Sequence, residues 1–262
     1  MESLQPVPSN DPADDQAWRE VFMGYDPGLL KMRRFFLRIP SNPRCKLCAA
    51  PFGGVGGGLA RIFWHAPTGR NPLLCRACDG MFRKHPGGAE VEISVLFADV
   101  RGSTGLAENA SPAQFRNRLQ AFYKAAWDAI NNRDGILDKF LGDGVMALFI
   151  PGIAGELHAA RAVAAGRDLV AAVERLPDPR LPVGVGIHSG IAYVGIVGNA
   201  EDRDFSALGD VVNVAARLGS VAKAGELLVS TEAARAAAVT SSVAPQMLEL
   251  KGRHQPLEVI SL

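Results

Sequence analysis

Two carboxylates and four thiols lie where their types and spacing could do chemistry. Asp99 ends an apolar run in "LFADVRGST", and Asp143 sits between glycines in "DKFLGDGVMALFI", a mostly apolar stretch that also carries Lys139. A carboxylate at the tip of a tight turn ionises readily. If the two runs pair as strands, both aspartates reach one edge, where hard oxygen ligands suit magnesium or manganese. Two such ions about 4 Å apart form the clamp used for in-line phosphoryl chemistry. Beyond Asp99, Gly102, Ser103 and Thr104 turn toward a helix and can present backbone N–H groups to phosphate oxygens. Asn213 and Arg217, four apart in "LGDVVNVAARL", share one face of a Val/Ala-rich helix and offer it polar atoms. Each feature also has an ordinary structural reading: a turn aspartate, a solvated helix face, a strand lysine that snorkels.

The thiols form a second centre. "CKLC" (Cys45, Cys48) and "CRAC" (Cys75, Cys78) use all four cysteines, with 26 residues between the pairs. Two intervening residues let both sulfurs of a tight turn face one ion, and two such turns close a tetrahedral four-sulfur site. One structural Zn2+ is expected. An iron–sulfur or redox dithiol site and unligated thiols are the alternatives, since sulfur ligation alone does not select the metal. Disulfides are disfavoured in a reducing compartment. His65 and His85 read as loop histidines, because four sulfurs already complete the shell. "FGGVGGG", between the cysteine pairs, has no strand-like run before it, no helix after it and no Gly-Lys-Ser/Thr ending, so it reads as a flexible connector.

These residues need elements to position them. The 262 residues, 48% hydrophobic and 21% charged, suffice for a full-sized core and a smaller module beside it. A formal net charge of +1 gives no whole-protein reason to expect nucleic acid. No signal segment is read at the start and no apolar run reaches a membrane span of roughly 18 residues, so a cytoplasmic protein is expected. Residues 1–43 read as a helical and linker segment. In its "LLKMRRFFLRIP", Lys31, Arg33, Arg34 and Arg38 alternate with apolar residues. Such a basic amphipathic helix could lie on a membrane surface or a regulatory partner. More simply, over one to two turns, its apolar side covers the rest of the protein.

Residues 44–86 form the cysteine module, and 90–262 read as regular α+β. The strand "VEISVLFADV" is followed by a helix with Ser111 as N-cap and Pro112 in its first turn. "GILDKFL" and "VMALFI" flank Gly142-Asp143-Gly144 as a hairpin. A second helix runs to the Pro177 and Pro179 region. Strands "VGVGIHSG" and "IAYVGIVG", the Asn213 helix, the strand "GELLVS" and a closing pair around "QMLELKG" and "LEVISL" complete the order. It describes helices layered on an antiparallel sheet. His188 reads as a packed or hydrogen-bonded strand histidine.

In this order and spacing, "LFADVRGST", "KFLGDG", "GIHSG" and "LGDVVNVAARL" resemble the class III nucleotidyl cyclases, over about Glu90 to Leu262. The resemblance implies a ferredoxin-like cyclase catalytic domain that converts ATP to 3′,5′-cyclic AMP and pyrophosphate. It implies two Mg2+ or Mn2+ ions held by Asp99 and Asp143. By motif position Lys139 reads the purine, Asn213 and Arg217 orient the ribose and stabilise the transition state, and Lys251 contacts phosphate. Ser206 stands where adenylyl cyclases usually have aspartate or threonine as partner to the lysine, and its hydroxyl can take the same hydrogen-bonding part. Guanine-selective relatives carry glutamate and cysteine at these two positions, so Lys139 points to ATP. A guanylate cyclase, or a non-catalytic nucleotide-sensing or dimerising module, is the alternative. In the family, opposite subunits supply the metal aspartates and the purine-reading lysine with its Asn–Arg pair, which implies a homodimer with two composite sites.

Overall fold

The computed structural model describes residues 12–68, 72–85, 87–177, 180–198, 203–250 and 255–262. Its contacts divide the chain into two units, Met1–Val91 with Tyr193–Ser206, and Glu92–Ala192 with Ala207–Leu262.

The first unit opens with α1 (Pro12–Met23) and α2 (Pro27–Leu37). Asp26 caps α2, accepting from the Leu29 N–H at 2.6 Å, and Pro27 fits the first turn, where no N–H is needed. This helix has eleven residues, about three turns, and so is longer than the one to two turns expected. It buries Leu29 and Phe36, while Arg33 donates to the Lys46 and Leu47 carbonyls at 2.8 and 2.7 Å and fastens the helix to the first cysteine turn.

The "FGGVGGG" stretch is not a connector. It starts α3 (Gly54–Ile62), whose buried face is Gly56, Gly57 and Ala60. A Cβ on Gly56 would lie 2.4 Å from Ile39 Cγ2, and one on Gly57 would lie 2.6 Å from the Phe52 backbone. These glycines allow close packing, and that contact outweighs their poor helix propensity. The fourth helix, α4 (Arg76–Lys84), carries Phe82, whose ring stacks 5.1 Å from Trp18 and lies 5.1 Å from Phe205.

The second unit is an α+β layer structure, as expected. Its chain runs β1 (Gly88–Val100, entering from the first unit), α5 (Ser103–Glu108), α6 (Pro112–Asn132), β2 (Ile136–Leu141) and β3 (Gly144–Phe149). It continues through α7 (Pro151–Ala154), α8 (His158–Glu174), β4 (Val183–Gly198), β5 (Arg203–Leu208, mostly in the first unit) and α9 (Asp210–Val221). Last come β6 (Leu227–Ser230), α10 (Thr231–Ala236), β7 (Gln246–Leu248) and β8 (Leu257–Ser261). The sheet order is β2-β3-β1-β4-β6-β8-β7, with β5 paired to β4. Ser111 and Gln114 form a reciprocal capping box at the start of α6.

One strand expectation is corrected: "VGVGIHSG" and "IAYVGIVG" are a single sixteen-residue strand, β4, which runs on past Ala192 into the first unit. Gly190, at the junction of the two expected strands, keeps the extended backbone. The β-favouring residues on both sides carry the ladder through it.

The sheet has two differently used faces. Leu96, Ala98, Val145, Ala147 and Phe149 point into the core built with Phe122 and Ile130 of α6 and Leu169 of α8. On the other face, Val214 and Leu218 of α9 pack with Leu228, Leu257 and Val259. Two glycines set how closely α9 approaches. A Cβ on Gly186 of β4 would lie 2.1 Å from the Gly219 nitrogen, and one on Gly219 would lie 2.9 Å from Phe97 Cβ. Any side chain at Gly186 would push α9 off the sheet.

Candidate functional site

Strand register brings the two aspartates together. Asp99 lies opposite Gly144, Phe97 opposite Met146, and Lys139 opposite Met146 from the other side. Directly paired residues point to the same face, so Asp99 and Lys139 share the face on which α9 lies, away from α6 and α8. The Leu141–Gly144 pairing leaves Gly142-Asp143 as a two-residue turn, and Gly142 supplies the positive φ of 65° that it needs. Tyr123 of α6 steadies this turn: its hydroxyl donates to the Gly142 carbonyl and its ring centroid is 4.5 Å from that of Phe140.

Asp99 is half-buried, and burial raises its carboxyl above the ordinary range. The Arg101 guanidinium works against that shift and the Asp143 charge adds to it. Desolvation and a neighbouring carboxylate disfavour an isolated anion and favour a cation at its oxygens. Gly144 keeps that space clear, since a Cβ there would lie 3.3 Å from Asp99 Oδ1. A half-buried carboxylate that feels a second one from the adjoining turn suits a hard divalent cation.

The sequence reading missed Arg101, which pairs with Asp99 and also donates to the Ser220 carbonyl near the end of α9. It thereby ties the aspartate to the helix that presents Asn213, exposed, and Arg217, half-buried. The available signal was its i, i+2 spacing from Asp99, which puts both on one side of an extended strand. Tyr123 had no comparable signal, because its contact depends on how α6 lies against the hairpin.

The remaining candidates are placed as follows. Lys139 is 40% exposed, with Nζ 3.3 Å from the buried carboxylate of Asp138. An irregularity in β2 between Leu137 and Lys139 re-aims the lysine. Gly102 adopts the left-handed conformation and starts α5, with Ser103 and Thr104 in the first turn. Ser206 is buried in the β5 segment that belongs to the first unit, next to Phe205. Lys251 lies outside the described residues. His188 is buried and bonded to the Ser230 hydroxyl at 2.7 Å, while His158, 3.0 Å from Ser94, has its pKa lowered by burial. Both are structural.

In the first unit the ligand atoms of Cys45, Cys48, Cys75 and Cys78 all lie within 4.8 Å of one another, and all four residues are buried. Cys75 is also the N-cap of α4 and accepts from the Cys78 N–H, so the helix start fixes the second cysteine pair. Hydrogen bonds among the thiols, chiefly with Cys45, lower the pKa of Cys75 and raise those of Cys48 and Cys78. A buried four-sulfur donor set of this size fits a soft tetrahedral cation in place of those protons. His65 lies closer than an ordinary loop histidine would: its Nδ1 is 3.3 Å from Cys75 Sγ, where it can hydrogen-bond a thiolate.

A ferredoxin-like sheet that sets Asp99 on its α9 face, beside the turn that carries Asp143, is the arrangement of a class III nucleotidyl cyclase catalytic domain. The family model for the adenylate and guanylate cyclase catalytic domain matches residues 88–260, and the chain belongs to that family. An adenylate cyclase of Anabaena cylindrica is 34% identical over 137 residues, covering 50% of this chain and 27% of that protein. An uncharacterized protein of Mycobacterium tuberculosis is 32% identical over 186 residues, covering 68% and 34%. The chain thus spans about a third or less of the length of these curated relatives. Among solved structures, the guanylyl cyclase Cya2 matches with a TM-score of 0.62 at 26% identity, over 67% of this chain and 93% of that one. The adenylyl cyclase CyaB from P. aeruginosa matches at 0.58 and 26%, over 66% and 94%. Cyclase domains of this family use divalent cations, bind nucleotide and typically dimerise. Among the described residues, no helix is long and apolar enough to cross a membrane.

Proposed function

We propose that the chain is an adenylate cyclase of the cytoplasm, forming 3′,5′-cyclic AMP and pyrophosphate from ATP at a homodimer interface. The observation that carries this reading is the register that sets Asp99 beside the Gly142-Asp143-Gly144 turn, with Lys139 on the same face. Asp99 and Asp143 hold Mg2+ or Mn2+. A divalent cation held there would lower the pKa of the ribose 3′-hydroxyl and neutralise phosphate charge. Lys139 of one subunit and Ser206 select the adenine edge, and Asn213 orients the ribose so that the 3′-oxygen lies in line with the α-phosphorus. Arg217 stabilises the charge that develops on the transferring and leaving oxygens, with Lys251 as a further phosphate contact. The first turn of α5, from Gly102 through Thr104, offers backbone N–H groups to the phosphates. Phe140 and Leu141 on edge strand β2 are exposed and apolar, which supports a partner subunit at this hairpin.

A guanylate cyclase is the second reading, favoured by the match to Cya2. Purified protein supplied with ATP or GTP and Mn2+ should yield cyclic AMP in clear preference. The Lys139→Glu, Ser206→Cys double variant should shift the GTP-to-ATP ratio of kcat/KM upward by at least about tenfold. A dominant cyclic GMP product from the unaltered protein overturns the adenylate assignment.

The four-cysteine cluster is proposed to hold one structural Zn2+. Elemental analysis should find about one zinc per chain, and Cys75→Ser should loosen residues 44–86 to hydrogen exchange more than the catalytic domain of residues 90–262. Iron with visible absorbance, or no metal, overturns that assignment.

A further inference from the structure

In α3 the usual division of side chains is inverted. The small residues Gly56, Gly57 and Ala60 face inward, and the large apolar ones, Val55, Leu59 and Ile62, face solvent together with Phe63 and Trp64 just beyond the helix. Val55 is 85% exposed and Trp64 72%. Trp64 also occupies a position where folding favours glycine. Its N–H bonds the Arg61 carbonyl at 3.3 Å, the next N–H bonds that of Ala60 at 2.9 Å, and its φ is +64°. This is a Schellman cap, whose left-handed residue is usually glycine because a Cβ is strained there. A tryptophan at that position, pointing into solvent, serves something other than the stability of the unit.

Charge identifies the occupant. From Pro27 to Cys78 the sequence has nine Lys or Arg residues and no Asp or Glu, within a chain of formal net charge +1. Of these, Lys31, Arg34, Arg38, Arg61 and Arg76 are exposed. The end of α2 and both ends of α3 adjoin: Ile39 lies against Gly56, and the Phe36 ring centroid is 4.9 Å from that of His65. Exposed cations therefore border the apolar group. A second copy docked on this face by two-fold symmetry would bring the cations of both copies together. Nucleic acid would satisfy the cations and could stack on Phe63 and Trp64, but it gains nothing from Val55, Leu59 and Ile62, which cannot stack on bases. An anionic bilayer surface satisfies both, since aliphatic and aromatic side chains enter the headgroup boundary while Lys and Arg stay among the phosphates.

We propose that the first unit binds anionic lipid surfaces peripherally through α3 and the Phe63-Trp64 tip, with the exposed cations of α2 around it. The experiment is co-sedimentation of the full chain with vesicles of phosphatidylcholine, with and without phosphatidylglycerol, together with tryptophan emission. The protein should pellet with the phosphatidylglycerol vesicles, less so at high salt, with a blue shift that Trp64→Gly removes, since Trp18 is already buried and the half-exposed Trp127 lies in α6, outside the patch. Phe63→Ser and Trp64→Gly should each weaken binding at least about tenfold. Trp64→Gly should leave the melting temperature unchanged or raise it, since glycine suits the left-handed position. The proposal is overturned by equal pelleting with pure phosphatidylcholine, by no pelleting at all, by unchanged binding of Trp64→Gly, or by a marked loss of its melting temperature. RNA retention without vesicle binding, or a change of oligomeric state in Phe63→Ser without vesicle binding, would also sink it by assigning the patch to another partner.

Discussion

Asp143→Asn and Asp99→Asn should each reduce cyclic nucleotide formation by at least about a thousandfold, roughly 4 kcal/mol of transition-state stabilisation. Asparagine keeps the shape of either side chain and is well tolerated in a turn such as Gly142-Asp143-Gly144, so the loss is chemical and not structural. The melting temperature should barely move for Asp143→Asn. Among the described residues, Asp99→Asn loses the ion pair with Arg101, which is partly exposed and contributes little. Direct titration with Mn2+ followed by electron paramagnetic resonance should show weakened binding in both variants. Full activity in either, with the fold intact, would falsify the assignment of the pair as metal ligands.

Two inactive variants should restore one another. Asp99→Asn keeps Lys139, and Lys139→Ala keeps Asp99, so each homodimer has only damaged sites if every site draws these residues from different subunits. In a mixed dimer one site collects both substitutions and the other collects neither. With equal amounts and random exchange, half of the dimers are mixed and one of their two sites is intact, which gives about one quarter of wild-type activity. The measurement is cyclic AMP formation against mixing ratio, with subunit exchange followed independently by labelled protein. Exchange without recovered activity would mean that Asp99 and Lys139 act within one chain or that the two sites cannot work separately, and the composite site would be abandoned.

The sequence by itself determined what depends on neighbours a few residues away. The paired cysteines, the Gly142-Asp143-Gly144 hairpin, the Ser111 cap and the shared face of Asn213 and Arg217 follow from turn chemistry and helix periodicity, and α3 was lost because local glycine preference points the wrong way. Tertiary structure decided the rest. Only the β1–β3 register puts Asp99 beside the turn of Asp143, and a slip of one residue would have sent its carboxylate into the apolar core. Arg101 finds the Ser220 carbonyl 119 residues away because Gly186 and Gly219 let α9 lie close to the sheet. His65 comes within 3.3 Å of a cysteine sulfur only because α2, α3 and the cysteine turns pack together. A short window of sequence has no term for such contacts, because each pairs groups that are distant along the chain and exists only once the layers between them are packed.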